Sequence, residues 1–396
     1  MTRHELLSPG GDMEKIKTAI RFGADAIYCG GPNMHLRAED ASMTMKDLSD
    51  GIAYAHTLGK KVYVTVNAFA RNRDFFKLAD YLQEIKTIGA DAIIVSDLGV
   101  LSTAVQTVPE LPVHISTQAN CLNHASAGMY YRLGARRVIL GRELSLTEIR
   151  EIRDSTPPEL ELEVFVHGAM CMAYSGRCLI SAYLTGRDSN RGDCAQPCRW
   201  KYRLIEEKRP DESFDVCRDE NGTAILSSRD LNTISFIDEI KAAGVTSFKI
   251  EGRMKSSFYV ATVTNAYRHA IDRSAPLDIL ERELCSVSHR DFSSGFYFGE
   301  LKNAPPARDG YMRDCVFVGV VTGKKEGLLE VEQRNRFSVG DILEVLSPDS
   351  MGKQFKVIRI MDADMNEMAT APHPRQKLYL SCELDIKAGD LLRRRE

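Results

Sequence analysis

A short phrase that recurs along the 396-residue chain constrains the fold more than any other feature. Residues 23–28 (GADAIY) return as residues 89–94 (GADAII), and weaker copies begin at Gly134 and Gly244. Each copy follows an amphipathic segment and precedes a short apolar run. This is the pattern expected where a helix ends at a glycine C-cap and a buried parallel strand begins. The repeat therefore predicts a series of βα units.

Eight short apolar runs alternate with helical patterns and are the candidate strands. They are residues 5–7, 26–29, 61–66, 92–95, 113–115, 137–140, 162–166 and 247–250. Eight strands in this alternation favour an α/β fold of the TIM-like (β/α)₈ class. A doubly wound sheet is the alternative, but the chain has neither a G-x-G-x-x-G after its first strand nor a P-loop motif.

The predicted barrel, residues 1–302, contains one long irregular insertion and precedes a second domain. The insertion covers about residues 167–227, between the seventh strand and the next helix, and a loop of that length is usually functional. A linker with two adjacent prolines is expected at residues 303–311. Beyond it, short alternating strands with glycine turns predict a small β-barrel over residues 312–396.

The composition is that of an ordinary globular protein, with 43% hydrophobic and 27% charged residues and a net charge of −3. No apolar run approaches a membrane span and the N-terminus lacks a signal-peptide core, so we expect a cytoplasmic protein without membrane contact. Net charge gives no nucleic-acid signature. Lys324, Lys325 and the run 393–395 (RRR) are candidate basic surfaces for RNA, or else a solvated turn and tail.

Four of the ten cysteines are clustered in the predicted insertion: Cys171, Cys178, Cys194 and Cys198. In a chain of this kind, clustered thiols are more often metal ligands than disulfides. Structural zinc usually binds cysteine pairs separated by two to four residues, and only the second pair fits. The wide first spacing therefore favours an iron–sulfur centre, with zinc as the alternative.

Polar side chains follow nearly every predicted strand, and the active sites of such barrels lie at these strand ends. The candidate substrate-binding residues are Arg37, Asn67, Gln118, Asn120, Arg142 and Arg253. The three arginines are candidate anion binders, because a guanidinium group binds carboxylates and phosphates bidentately.

His167 and Glu251 are the candidate catalytic residues. Glu251 could instead form an ion pair with Arg253. A nucleophilic pair of His167 with Cys171 is a further alternative, although a metal-bound thiolate is a poor nucleophile. The chain contains no H-E-x-x-H and no G-x-S-x-G motif, so no standard protease machinery is visible.

Two segments resemble the signature of the collagenase-like peptidase family U32. They are residues 165–178 (FVHGAMCMAYSGRC) and 192–200 (GDCAQPCRW), and shorter matches lie at residues 5–11, 116–120 and 249–253. The resemblance spans the barrel, and the tail looks like the family's small C-terminal β-barrel. Within the family, the chain is most similar to members that act in tRNA hydroxylation.

The resemblance implies a 4Fe-4S cluster on the four clustered cysteines. It also implies an RNA-modifying enzyme that forms 5-hydroxyuridine at the tRNA wobble position, with prephenate rather than oxygen as the hydroxyl source. The expected partners are then tRNA, a small dicarboxylate held by the strand-end arginines, and an electron donor. The alternatives are hydroxylation of an rRNA base or a quinone precursor, the peptidase activity in the family name, and a zinc-stabilised binding module.

Overall fold

In the computed structural model, the described residues are 4–36, 43–171, 173–200, 229–299 and 311–396, together with four short strands between residues 205 and 223. The strands of the first domain form a closed parallel barrel, because the eighth pairs with both the first and the seventh. The eight are Glu5–Pro9, Ala26–Gly30, Lys61–Val66, Ala92–Val95, Val113–Ile115, Ala135–Ile139, Glu161–Ala169 and Ser247–Ile250. The predicted (β/α)₈ barrel is confirmed.

Helices pack outside the barrel, between its strands in the sequence. The α-helices are Met13–Arg21, Met45–Thr57, Leu78–Thr87, Leu98–Thr107, His124–Arg132, Leu146–Asp154, Ile180–Thr185, Ile237–Ala242, Ser257–Asp272 and Leu277–Cys285. Asp12 caps the first by accepting from the Lys15 N–H at 2.8 Å, and Ser145 and Glu148 form a capping box. None of the described helices has the length and apolar character needed to cross a membrane.

The glycines of the recurring phrase have a common conformation. Gly23, Gly89, Gly134 and Gly244 all have φ between +88° and +102°, which is the left-handed region. Each follows a helix and precedes a buried strand, so the phrase marks the helix-to-strand turn for a backbone reason.

A buried charge network fills the amino end of the barrel. The Arg137 guanidinium lies 2.6 Å from the Glu5 carboxylate and 2.8 Å from that of Glu163, and Lys249 Nζ lies 3.2 Å from the other oxygen of Glu163. These side chains come from strands one, six, seven and eight. Because buried charges must be paired, the network fixes the interior geometry below the barrel mouth.

Residues 315–395 form an antiparallel sheet around a second apolar core. Its eight strands are Cys315–Lys325, Leu328–Gln333, Ile342–Ser347, Ser350–Lys356, Ile360–Met361, Glu367–Met368, Lys377–Leu380 and Leu391–Arg395. A separate two-stranded sheet pairs Phe337–Ser338 with Thr370–Ala371. Phe317 stacks on Phe258 of the barrel with ring centroids 5.2 Å apart, so the two domains are in contact.

The run at residues 393–395 is not the exposed basic tail that the sequence suggested. Arg393 is fully buried and donates to both carboxylate oxygens of Glu283, at 2.6 and 2.7 Å, and to Glu344 at 2.9 Å. Arg394 pairs with Asp341 and Arg395 with Glu344. The run is a strand with neighbours on both sides, in which Arg393 joins the two domains and Arg394 and Arg395 pair within the second one. The solvated tail is therefore wrong, and RNA contact at this run stays a prediction.

The remaining short elements lie in the insertion and in loops of the first domain. They are the strands Ile205–Glu206, Arg209–Ser213, Arg218–Asp219, Gly222–Thr223, Asp230–Asn232 and Phe292–Ser293, and the 3₁₀ helices Asn72–Lys77, Thr117–Ala119, Ser189–Arg191, Pro197–Arg199 and Ile234–Phe236. The strand Asp230–Asn232 pairs antiparallel with the carboxyl end of the seventh barrel strand. Arg37 and residues 303–310 of the expected linker lie outside the described residues.

Candidate active site at the barrel mouth

The carboxyl ends of strands seven and eight meet at a glycine. Gly168 has φ +110°, and a Cβ there would lie 2.7 Å from the Glu251 carbonyl oxygen. The Glu251 N–H donates to the His167 carbonyl at 2.9 Å across the same junction. Only glycine allows this close approach, so the HG pair of the sequence motif has a packing role.

The cysteine-bearing segment is seated on loops that follow other barrel strands. Gly176 packs against the loop after strand five, where a Cβ would lie 2.1 Å from the Gln118 carbonyl oxygen. Glu143, after strand six, accepts hydrogen bonds from the Ser175 N–H at 2.5 Å and the Ser175 hydroxyl at 3.3 Å. The carboxylate of Glu143 therefore holds the segment in place.

A second set of contacts joins the segment to the loop after strand three. The Asn190 side chain donates to the Cys178 carbonyl at 2.7 Å, and the Asn190 carbonyl accepts from the Phe69 N–H at 2.9 Å. Arg191 bonds the Phe69 carbonyl and lies 2.8 Å from the Asp74 carboxylate, whose pKa it lowers. Cys178 is thus indirectly fixed to the barrel.

The four clustered thiols share one neighbourhood. Cys171 is exposed and the other three are partly exposed. Burial raises the pKa of Cys198, Arg199 opposes this, and the charges of the neighbouring Cys171, Cys194 and Cys178 raise it further. The Gln196 N–H donates to the Cys194 sulfur at 3.4 Å. Within the described ranges, no group of three or more His, Cys, Asp or Glu side chains could hold a single metal ion.

Arg142 connects this neighbourhood to the barrel. Its guanidinium donates to the Ala169 carbonyl at 2.9 Å and lies 5.3 Å from the Phe165 ring centroid. Burial lowers the pKa of Arg142, but Cys171, Glu251 and Glu143 raise it to above its ordinary value. The guanidinium and Cys171 line a cavity of about 820 Å³.

Arg253 lies in the same mouth, near the ends of strands two and three. It is buried, and its guanidinium donates to the Thr65 hydroxyl at 3.0 Å. Burial, and then Arg253, lower the pKa of His35 to about 4. Burial raises the pKa of Cys29 to about 12, partly offset by Arg253.

Three predicted polar residues lie on the strand-three and strand-five loops. The Asn67 amide donates to the Ser116 hydroxyl at 3.1 Å, while its oxygen is buried without a partner among the described residues. Asn120 is left-handed, with φ 54° and ψ 50°, and its side-chain nitrogen is likewise unpartnered. Gln118 is partly exposed. Buried polar atoms without partners are unusual in proteins and are often explained by a water or a ligand.

His167 occupies an aromatic pocket. Its ring centroid lies 5.5 Å from those of Tyr267 and Phe292 and 6.1 Å from that of Tyr259, and its Nδ1 is 3.4 Å from the Tyr267 hydroxyl. Burial lowers its pKa to about 3, although Asp230 opposes this, so the ring is neutral at pH 7. No hydrogen bond between His167 and Cys171 occurs in the described part of the chain.

The sequence matches known families along almost its whole length. The model of peptidase family U32 matches residues 11–304, and that of the peptidase family U32 C-terminal domain matches residues 313–393. The chain belongs to peptidase family U32.

Three curated relatives show what this U32 chain is similar to. The tRNA hydroxylation protein P of Escherichia coli is 36% identical over 98% of this chain and 95% of its own length. A collagenase of Porphyromonas gingivalis is 31% identical over 87% and 86% of the two chains. The 23S rRNA 5-hydroxycytidine C2501 synthase of Escherichia coli is 37% identical over 68% of this chain and 39% of its own.

Two groups in the mouth of this U32 chain escaped the sequence analysis. Lys255 lies 5.2 Å from the Tyr259 ring centroid and 4.6 Å from that of Tyr311, and burial lowers its pKa. His35 is buried in the loop after strand two. Lys255 follows Arg253 by two positions and His35 precedes Arg37 by two, so including whole strand-end loops would have found both.

Proposed function

We propose that this protein is an RNA-modifying enzyme that hydroxylates the wobble uridine of tRNA to 5-hydroxyuridine, independently of oxygen. The observation that carries the proposal is its similarity to the tRNA hydroxylation protein P, which covers nearly the full length of both chains. The similarity to the rRNA synthase supports the coarser statement that the reaction is hydroxylation of an RNA base.

A 4Fe-4S cluster on Cys171, Cys178, Cys194 and Cys198 is part of the proposal. The donors fit such a group in kind, because four neighbouring thiols can supply the four thiolates that a cubane cluster binds. The N–H bond to the Cys194 sulfur is also typical of cluster environments. When bound, the cluster would supply one-electron redox chemistry.

Two arginines of the mouth suit a dicarboxylate co-substrate such as prephenate. Arg142 lines the cavity beside Cys171, and Arg253 lies near the ends of strands two and three. The Phe165 ring lies between the Arg142 guanidinium and the Lys249 ammonium, at 5.3 and 5.5 Å. We propose that the guanidinium groups bind the carboxylates, since a partly desolvated charge pair is stronger than one in water.

The co-substrate must do more than supply oxygen. Replacing the C5–H of uridine by C5–OH removes two electrons from the base. The exchange balances if the co-substrate R–OH loses its hydroxyl and gains the hydrogen, as in U–H + R–OH → U–OH + R–H. Arg142, Arg253 and the amides of Asn67 and Asn120 would hold the two reactants, and the unpartnered amide atoms are available for this binding.

Two measurements test the proposal. Deleting the gene should abolish 5-hydroxyuridine derivatives in tRNA, measured by mass spectrometry, and the wild-type gene should restore them. Unchanged levels in a strain without a second family member would refute the assignment to tRNA. Protein purified without oxygen should contain about four iron and four sulfide per chain, and one zinc instead would refute the cluster.

The collagenase relative makes peptidase activity the second candidate. Its test is cleavage of gelatin by the full chain, compared with the variants Cys171→Ala and His167→Phe. A peptidase that uses these residues loses activity in both. Activity that survives both changes belongs to a contaminant or to another site.

A further inference from the structure

Exposed aromatic side chains of the described residues occur in several segments near the barrel mouth. Among the described residues, seven aromatic side chains are exposed: Phe75, Phe76, Tyr174, Tyr183, Trp200, Phe298 and Tyr311. The first two follow strand three, and the next three belong to the cysteine-bearing insertion. Exposed rings grouped in this way mark a binding surface.

Phe76 is the most exposed of them, at 85%, and cationic residues flank it in the sequence. It lies in the 3₁₀ helix Asn72–Lys77, beside the exposed residues Arg71, Arg73 and Lys77. Proteins hold single-stranded nucleic acids with this combination, in which cations contact the phosphates and a ring stacks on a base.

A cavity of about 730 Å³ opens beside the ring, within the size range of small-ligand sites. His35 at its wall is 3% exposed, and its Nε2 has no hydrogen-bond partner among the described residues. Three carboxylates and three cations also line the cavity: Asp74, Asp80, Glu84, Arg73, Lys77 and Arg191. Because these charges balance, an uncharged base suits the cavity, while the exposed Arg73 and Lys77 suit the phosphates.

The same segment is attached to the cysteine-bearing insertion. Arg191 bridges to Asp74 within the 3₁₀ helix, and the neighbouring Asn190 holds the Cys178 carbonyl. A base stacked on Phe76 would therefore lie at a fixed distance from the thiols. Because the three arginines of the 393–395 run are already paired with carboxylates, this surface is the better candidate for contact with RNA.

We propose that Phe76 stacks an unpaired base of an RNA loop, that Arg71, Arg73 and Lys77 contact its phosphates, and that His35 Nε2 bonds the base edge. The inference rests on the proposed function and adds to it the surface that orients the substrate loop. A lipid surface presents phosphates but no planar base, and an unmodified peptide presents no phosphates, so neither matches both features.

The test measures binding of the full chain, purified without oxygen, to two labelled RNAs. One is a tRNA anticodon stem-loop and the other is a fully paired duplex of the same length. Phe76→Ala and Arg73→Glu are compared with wild type and with Leu58→Ala. Leu58 is a matched exposed apolar residue, which ends the helix before strand three and so lies at the opposite end of the barrel. Phe76→Trp keeps a stacking ring.

We expect the stem-loop to bind more tightly than the duplex, and Phe76→Ala to weaken stem-loop binding by about 5- to 100-fold. Arg73→Glu should also weaken binding and reduce its salt dependence, while Leu58→Ala and Phe76→Trp should match wild type. Equal binding by Phe76→Ala and Leu58→Ala would overturn the inference, as would a wild-type protein that binds neither RNA.

A cellular measurement separates this inference from the proposed function. The Phe76→Ala gene should restore less 5-hydroxyuridine than the Leu58→Ala gene in the deletion strain. Full restoration by both would leave the hydroxylation assignment intact and refute the stacking role. If the wild-type gene restores no 5-hydroxyuridine but Phe76-dependent RNA binding persists, the substrate assignment fails and the surface inference stands.

Discussion

The seating of the cysteine-bearing segment can be tested with a matched pair of glycines. Gly176 lies between Cys171 and Cys178, and Gly186 lies between Cys178 and Cys194. Their φ angles are +72° and +73°, but a Cβ at position 176 would lie 2.1 Å from the Gln118 carbonyl oxygen, while one at position 186 would have no neighbour within 4 Å. Alanine therefore imposes the same backbone strain at both positions and a clash at only one.

The expected magnitudes follow from this difference. A left-handed alanine costs about 1–2 kcal/mol, so Gly186→Ala should lower the free energy of unfolding by about that amount. Gly176→Ala adds overlap with three backbone atoms of Gln118, which cannot rotate away. The segment must retreat by about 1 Å, and a displacement of that size is enough to impair a preorganised site.

The assay is iron and sulfide content after purification without oxygen, together with urea-induced unfolding. Gly176→Ala should lose most of its iron, and Gly186→Ala should keep the wild-type amount. Equal iron content in the two variants would contradict the proposed seating of Cys171 and Cys178 on the loop after strand five. Equal losses in the free energy of unfolding for Gly176→Ala and Gly186→Ala would show that the loop after strand five moves aside at no energetic cost.

Two further predictions concern buried ionisable groups. Arg393→Ala leaves the Glu283 carboxylate buried without its partner and should lower the free energy of unfolding, measured with urea at pH 7, by about 3–5 kcal/mol. Arg395→Ala removes a partly exposed partner and should lower it by no more than about 1 kcal/mol. Similar losses in the two variants would contradict the role of Arg393 between the domains. Because the pKa of His167 falls from 6.5 to about 3 on folding, its contribution to stability is present above pH 6.5 and is lost as the pH falls, by about 1.4 kcal/mol per pH unit. His167→Phe should remove that slope between pH 6.5 and 5, and an unchanged slope would place the ring in solvent.

The barrel could be predicted from sequence because its signals are local. The turn glycines, such as Gly23 and Gly89, lie next to the helices that they end, and the capping residues Asp12 and Ser145 lie within three positions of the groups that they bond. Repetition of these short-range signals identified the eight strands.

The errors and omissions arose where the partner is distant in the chain. The arginine run was read as a surface because Glu283, which pairs with Arg393, lies 110 positions away. The aromatic surroundings of His167 were also missed, because Tyr267, which helps to enclose it, lies 100 positions away; its catalytic role stays a prediction. No local sequence pattern predicts such a distant neighbour, so only the structure shows that the guanidinium of Arg393 and the imidazole of His167 are buried.

The cysteine spacing illustrates the same limit and what the structure adds to it. The spacing alone favoured an iron–sulfur centre over zinc but gave no orientation. In the structure, the segment is held by Gln118 after strand five, Glu143 after strand six and Asp74 after strand three. Contacts with three separate loops fix its position relative to the whole mouth, including Arg142. A change in any one of these loops should therefore disturb both metal content and substrate binding, although none of the three residues is a predicted metal ligand.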